Sequence, residues 1–217
     1  MIANRSVIKT VIVTAVCLSL FIMFALIYKQ SIVEIVDVWV MKNISDIHKP
    51  VFINIFTFFT TVASRPYQFA IFIFFTVIWL FGEKKWIEPL VLGICLFGIR
   101  YENHLFKNWF ERDRPLYDRV IEITGYSFPS GHAMISIAFF GLLSYLLVQN
   151  YAFLRSYRKY IYLLTALFVG SVGFSRVYLG VHYPTDVLGG FAAGGTWLLL
   201  CVLLYKWLVG IVERRAY

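Results

Sequence analysis

The chain is 217 residues long, 60% hydrophobic and only 15% charged, with a formal net charge of +8. Charged residues normally make up about a quarter of a soluble domain, so the composition excludes one. The length fits one membrane-embedded domain, residues 1–217, with little left for a second. A net charge of this size can signal nucleic acid, but the basic residues fall in short clusters between apolar runs and form no stripe with aromatic platforms. No nucleic-acid partner is expected.

In chain order, six apolar segments are long enough to cross a bilayer: residues 7–28, 66–82, 86–110, 131–148, 160–174 (running on to 177) and 185–208. The first follows Arg5 and Lys9 as a signal peptide would. No small-residue cleavage pattern comes after it, so a retained helix is expected. Segment 29–65 is mixed. Ile32, Val33, Ile35 and Val36 alternate with Glu34, Asp37 and Trp39, and 51–62 is apolar but short. One or two interfacial helices suit it better than a seventh span. The predicted fold is therefore all-α: a polytopic six-transmembrane-helix bundle with one or two interfacial helices between the first two spans. Cys17, Cys95 and Cys201 lie inside apolar runs and read as packing residues, with no disulfide framework and no metal-ligand spacing.

Raw counts of Lys and Arg do not orient the chain, because the two sides come out equal. The tight clusters Glu83-Lys84-Lys85 and Arg155-Ser156-Tyr157-Arg158-Lys159 sit in short loops, where the positive-inside rule is strongest. Both termini are expected to be cytoplasmic. The ends of spans three and five and the starts of spans four and six then share the outer face, and the polar residues that interrupt the apolar pattern fall at those four ends.

The stretch from Ser175 to Asp186 holds Arg176, His182 and Asp186 between two apolar runs. Lone charges there are expensive and need partners or a function. His182 and Asp186 are four apart, with Pro184 as a first-turn proline between them. That spacing lets the carboxylate reach one ring nitrogen and leaves the other as a lone-pair donor. Arg176 adds a fork-shaped cation suited to phosphate. Taken alone, the stretch also fits a buried Arg–Asp pair beside a bystander histidine.

Two further stretches shift that balance. At the end of span three, Lys107 and Arg114 are seven apart, so on one helix they point the same way within about 20°. Pro115 ends that element, and Arg112 reads equally as a snorkelling interface residue. Span four opens with Pro129-Ser130-Gly131-His132. Free backbone N–H groups at such a start, the Ser130 hydroxyl and a close approach at Gly131 make an anion site, with His132 beside it as a proton donor. Three cations, a helix N-terminus, two histidines and an orienting carboxylate match phosphoryl transfer to a histidine nucleophile. Metal-dependent hydrolysis would need a carboxylate cluster, whereas Glu111, Asp113, Asp118 and Glu122 are scattered.

These three segments together resemble the type-2 phosphatidic acid phosphatase superfamily, whose signature is Lys-x6-Arg-Pro, then Pro-Ser-Gly-His, then Ser-Arg-x5-His-x3-Asp. Every position matches in order and spacing: Lys107…Arg114-Pro115, Pro129-Ser130-Gly131-His132 and Ser175-Arg176…His182…Asp186. The resemblance runs from about residue 56 to 208 and is greatest to small bacterial membrane enzymes of the phosphatidylglycerophosphate phosphatase B type. It implies His182 as nucleophile, Asp186 orienting it, and His132 as general acid. It implies Lys107, Arg114, Ser130, Gly131 and Arg176 as phosphate ligands, and no cofactor or metal. The implied substrates are phospholipid or polyprenyl phosphates in the cell membrane: phosphatidylglycerol phosphate, undecaprenyl diphosphate or phosphatidic acid. The alternatives are a lipid phosphoryl transferase and a non-catalytic lipid-phosphate binder or transporter. The latter would more often show inverted repeats and broken helices, which are not found here.

Some polar residues lie outside the signature. Arg100, Glu102, Asn103 and His104 sit in the outer half of span three, where ionisable groups are functional candidates. Asn103, one turn before Lys107, reads as orienting it; His104 reads as a packed bystander; Arg100 and Glu102 read as pairing across helices. The run from Gly190 to Gly194 reads as a small-residue contact within the bundle.

Overall fold

The structure is a computed structural model that describes residues 2–116, 119–121 and 123–215. Among them every regular element is helical. They are α1 (Ile2–Ile27), α2 (Ser31–Ser45), α3 (Pro50–Val62), α4 (Arg65–Val77, continuing as a π-helical turn Ile78–Gly82), α5 (Ile87–Phe110), α6 (Gly131–Asn150), α7 (Ala152–Ser156), α8 (Arg158–Tyr178) and α9 (Pro184–Arg215). All six expected apolar segments are helices. Five helices are long and apolar enough to cross a membrane: Arg5–Ile27, Arg65–Gly82, Gly131–Asn150, Arg158–Tyr178 and Pro184–Arg214. The other segment, α5, has 24 residues and carries Glu88, Arg100, Glu102 and Lys107 among its apolar residues.

Segment 29–65 holds two helices. α3 is apolar but has only 13 residues, short of the roughly 20 that a span needs. Much of α1 faces outward with its apolar side chains, Val11, Ile12 and Leu26 among them, exposed. Such a surface suits lipid.

The core forms where α6 packs against α9, with α1, α5 and α8 around them. Small residues set that contact. A Cβ on Gly194 would lie 2.2 Å from the Met134 carbonyl oxygen, and one on Gly190 would lie 2.7 Å from that of Ser130. The Gly190–Gly194 run thus packs within the bundle, as expected. The close approach brings the first turns of α6 and α9 together, where Ser130 N donates to the Asp186 carbonyl at 2.9 Å. An aromatic cluster anchors the preceding loop: the Phe128 ring stacks 4.9 Å from Tyr28 and lies 5.0 Å from Phe110. The three cysteines are free; Cys95 and Cys201 are buried and Cys17 is half-buried.

Candidate active site

The site is built on the first turn of α9. Pro184 starts the helix, and Asp186, two residues on, turns back so that Oδ2 accepts from Tyr183 N at 2.9 Å. The carboxylate thereby satisfies a donor at the helix start and gains the favourable end of the dipole. His182 precedes the helix in the short turn after α8, with its backbone N donating to the Arg176 carbonyl at 3.2 Å. His182 Nδ1 is 3.4 Å from Asp186 Oδ2 and 3.2 Å from Ser127 Oγ. Ser127 gives its one hydroxyl hydrogen to Asp186 Oδ2, so towards the imidazole it acts as an acceptor. The aspartate therefore holds the ring partly through Ser127, a residue the sequence did not single out.

On the other edge of the ring, Arg114 Nη1 lies 3.2 Å from His182 Nε2 and donates to the Val181 carbonyl at 2.8 Å. A guanidinium N–H can meet Nε2 only at its lone pair, so both edges agree on the Nδ1–H tautomer. His182 is 2% exposed. Burial pushes its pKa well below the usual histidine range, and the cations Arg114, Arg176 and Lys107 push it the same way. The contacts at both edges fit a ring whose Nε2 carries a lone pair.

The loop after α5 brings Lys107 and Arg114 together, and here the sequence reading needs correcting. They do not share a helix face. α5 ends at Phe110, and Glu111 takes a left-handed conformation, φ 46°, that turns the chain out of the helix. Arg114 reaches the site from the irregular segment after the helix, held by donation from Nε to the Gly125 carbonyl at 2.8 Å. Lys107 Nζ donates to the Tyr126 carbonyl at 2.8 Å. Asn103 does not orient Lys107; it donates to the Pro129 carbonyl at 3.2 Å and packs under Gly131, where a Cβ would lie 2.8 Å from its Oδ1.

Ser130 caps α6, and its buried hydroxyl has no partner among the described residues. The first-turn N–H groups after it lack intrahelical acceptors by the geometry of any helix start. Arg176, 1% exposed, gives one Nη1 bond to Thr60 Oγ1 of α3, while its Nε is buried and unpartnered. Ser130 Oγ and Arg176 Nε are thus two buried donors without an acceptor among the described residues. His132 follows Gly131 in the same turn and borders a cavity between α4, α5 and α6.

The ion-pair partner of Asp186 is Arg112. Arg112 is buried, not snorkelling. Its Nη1 donates to Asp186 Oδ1 at 2.7 Å and its Nη2 to Asp37 Oδ2 at 2.7 Å. Asp37, fully buried on α2, also accepts from Thr185 N at 3.1 Å and from the Thr185 hydroxyl. The guanidinium lies over the Tyr183 ring, 4.2 Å from its centroid. Asp37 sits 75 residues before Arg112 in the chain, and in the sequence it looks like one polar position in an alternating helix. No local signal finds it. The buried Arg–Asp pair considered for the last stretch does exist, but with Arg112 in place of Arg176, and the histidine beside it contacts the same aspartate.

Among the other candidates, His104 is exposed against Asn108 and not packed. Arg100 does pair across helices, with Gln68 of α4. Glu111 and Asp113 are exposed, and Asp118 and Glu122 lie outside the described residues. No group of three or more His, Cys, Asp or Glu among the described residues is placed to hold a metal ion.

The family model described as the PAP2 superfamily matches residues 10–209. The chain belongs to the PAP2 superfamily. This PAP2 chain is 32% identical over 175 residues to phosphatidylglycerophosphatase B of Bacillus subtilis, covering 80% of this chain and 85% of the relative. It is 30% identical over 135 residues to a putative undecaprenyl-diphosphatase of Escherichia coli, covering 54% and 58% of the two chains. Its fold matches the crystal structure of a transmembrane PAP2-type phosphatidylglycerolphosphate phosphatase from Bacillus subtilis with a TM-score of 0.86 and 28% identity, over 89% of this chain and 96% of that one.

Proposed function

We propose that the chain, acting as one domain, hydrolyses a lipid phosphate monoester or diphosphate at the outer membrane–water interface through a phosphohistidine on His182. The class itself is that of a membrane lipid phosphatase, by family and relatives. One observation carries the mechanism: His182 is clamped at Nδ1 by Asp186 and Ser127, while its Nε2 lone pair faces a guanidinium. A phosphate drawn to Arg114, Arg176, Lys107, the Ser130 hydroxyl and the α6 amides would put its phosphorus in front of that lone pair.

The Nε2–P bond then forms as the P–O bond to the leaving group breaks. The electron pair goes to the leaving oxygen, which takes a proton from His132. In the second step water attacks phosphorus, His132 takes back a proton, and the P–N pair returns to Nε2. The cations neutralise charge spread over the phosphoryl oxygens, the main demand of such a transition state.

The proposed orientation has six spans, both termini cytoplasmic and the site outside. In its support, α5 and α8 end at the site, and α6 and α9 begin there. The basic loops 83–86 and 151–157 fall at the opposite ends of these helices, where Tyr151 donates to Glu83.

Phosphate release by purified protein in detergent with chelator, followed across pH, tests the reading. The lowered pKa of His182 keeps the nucleophile deprotonated in mild acid, so the acid limb of kcat/KM is expected below the ordinary histidine value of about 6.5. The substrate's own ionisation is titrated separately. An enzyme-borne acid limb at or above that value, or no release from any lipid phosphate, would contradict the reading.

A further inference from the structure

A cavity of about 210 Å³ lies beside His132, lined by Gly131 and His132 of the phosphate cradle and by Arg65, Gln68 and Arg100. None of the residues that hold His182 lines it. It therefore adjoins the proton donor, and in an in-line displacement the leaving group departs towards the proton donor.

The chemistry of this cavity is cationic and prepared. Among the described residues, no carboxylate comes within ion-pair distance of Arg65 or Arg100. Gln68 is buried, and its Nε2 donates to the Ala63 carbonyl at 2.9 Å, which aims its Oε1 at the Arg100 guanidinium. The same guanidinium lies 5.2 Å from the Phe69 ring centroid, and its Nε is buried without a partner. Two guanidiniums that share one small cavity repel each other, and at membrane depth a cation needs a partner or a function.

We infer that this cavity is a second phosphate site, and that the preferred substrate of the proposed phosphatase has a leaving group that itself carries a phosphate. In a lipid diphosphate that phosphate is attached to the bridging oxygen; in phosphatidylglycerol phosphate it is the phosphodiester across the glycerol. Both offer the anion that Arg65 and Arg100 lack. Phosphatidic acid, whose leaving group is a neutral alcohol, offers none. As the scissile P–O bond breaks and the leaving oxygen takes its electron pair and the His132 proton, the two guanidiniums neutralise the phosphate that the leaving group carries.

The test is kcat/KM of the full chain in detergent with chelator, on a polyprenyl diphosphate, phosphatidylglycerol phosphate and phosphatidic acid. It is run on wild type, Arg100→Gln and Arg100→Lys, with exposed Arg65→Gln in case Arg100→Gln fails to fold. Loss of a charged hydrogen-bonding group is expected to lower the ratio of a second-phosphate substrate to phosphatidic acid by about 10- to 100-fold, with partial recovery in Arg100→Lys. The substrate whose ratio falls identifies which kind of second phosphate is bound. Equal losses on all substrates, or an unmoved ratio in an enzyme active on phosphatidic acid, would overturn the second site and leave the hydrolase reading standing. A wild type inactive on every substrate would overturn both.

Discussion

Substituting His182 by alanine is expected to lower kcat by about 10⁴-fold or more while leaving the fold intact. The size of the loss follows from its place in the reaction. In the proposed mechanism His182 Nε2, which meets Arg114, is the attacking lone pair, and His132, the other histidine of the site, is committed as the proton donor. The fold is expected to survive because His182 lies in the turn between α8 and α9 and its backbone, not its ring, carries the turn: His182 N and Val181 N both donate to the Arg176 carbonyl. The measurement is phosphate release together with a thermal melt in detergent. A variant that melts like wild type and keeps more than a few per cent of activity would refute the nucleophile assignment.

Replacing Arg112 by methionine is expected to have the next largest effect, on stability and turnover together. Among the described residues, Arg112 is the one cation that touches both Asp37 and Asp186, and both carboxylates are fully buried. Removing it leaves two uncompensated acids, and breaking a buried pair in this way typically costs about 3–5 kcal/mol. Asp186 would lose the guanidinium that fixes its carboxylate, and the His182 ring would lose the anchored partner at Nδ1. Arg112 is not among the proposed phosphate ligands, so the loss should appear in kcat, by about 10- to 100-fold, more than in KM. Asp37→Asn removes only the remote anchor and should fall between wild type and Arg112→Met in both melting temperature and kcat. Wild-type kcat in a folded Arg112→Met variant would show that the Asp37–Arg112–Asp186 chain does not position the histidine.

The sequence made legible what depends on local pattern. Apolar runs marked each long helix, because a helix facing lipid must be apolar over its whole length. The three polar interruptions marked the site, because charges in such places are rare and their spacings are chemical. What escaped was long-range or irregular. Asp37 and Thr60 come from α2 and α3, in the stretch of mixed composition, yet they hold Arg112 and Arg176 from across the bundle. Ser127 looked like ordinary loop sequence until the fold set it between His182 and Asp186. The heptad argument for Lys107 and Arg114 failed for a local reason: the left-handed Glu111 breaks α5 four residues after Lys107. The two cations meet through the loop, so a correct conclusion about proximity rested on a wrong account of the backbone.

Trapping the covalent intermediate would show the proposed first step on the protein itself. Purified protein would be mixed with substrate radiolabelled in the terminal phosphate, then quenched in alkaline detergent, where phosphohistidine survives. Label is expected on the wild-type chain, removed by mild acid, mapping to His182 by mass spectrometry and absent from His182→Ala. Turnover without labelled protein, or label on another residue, would contradict that step.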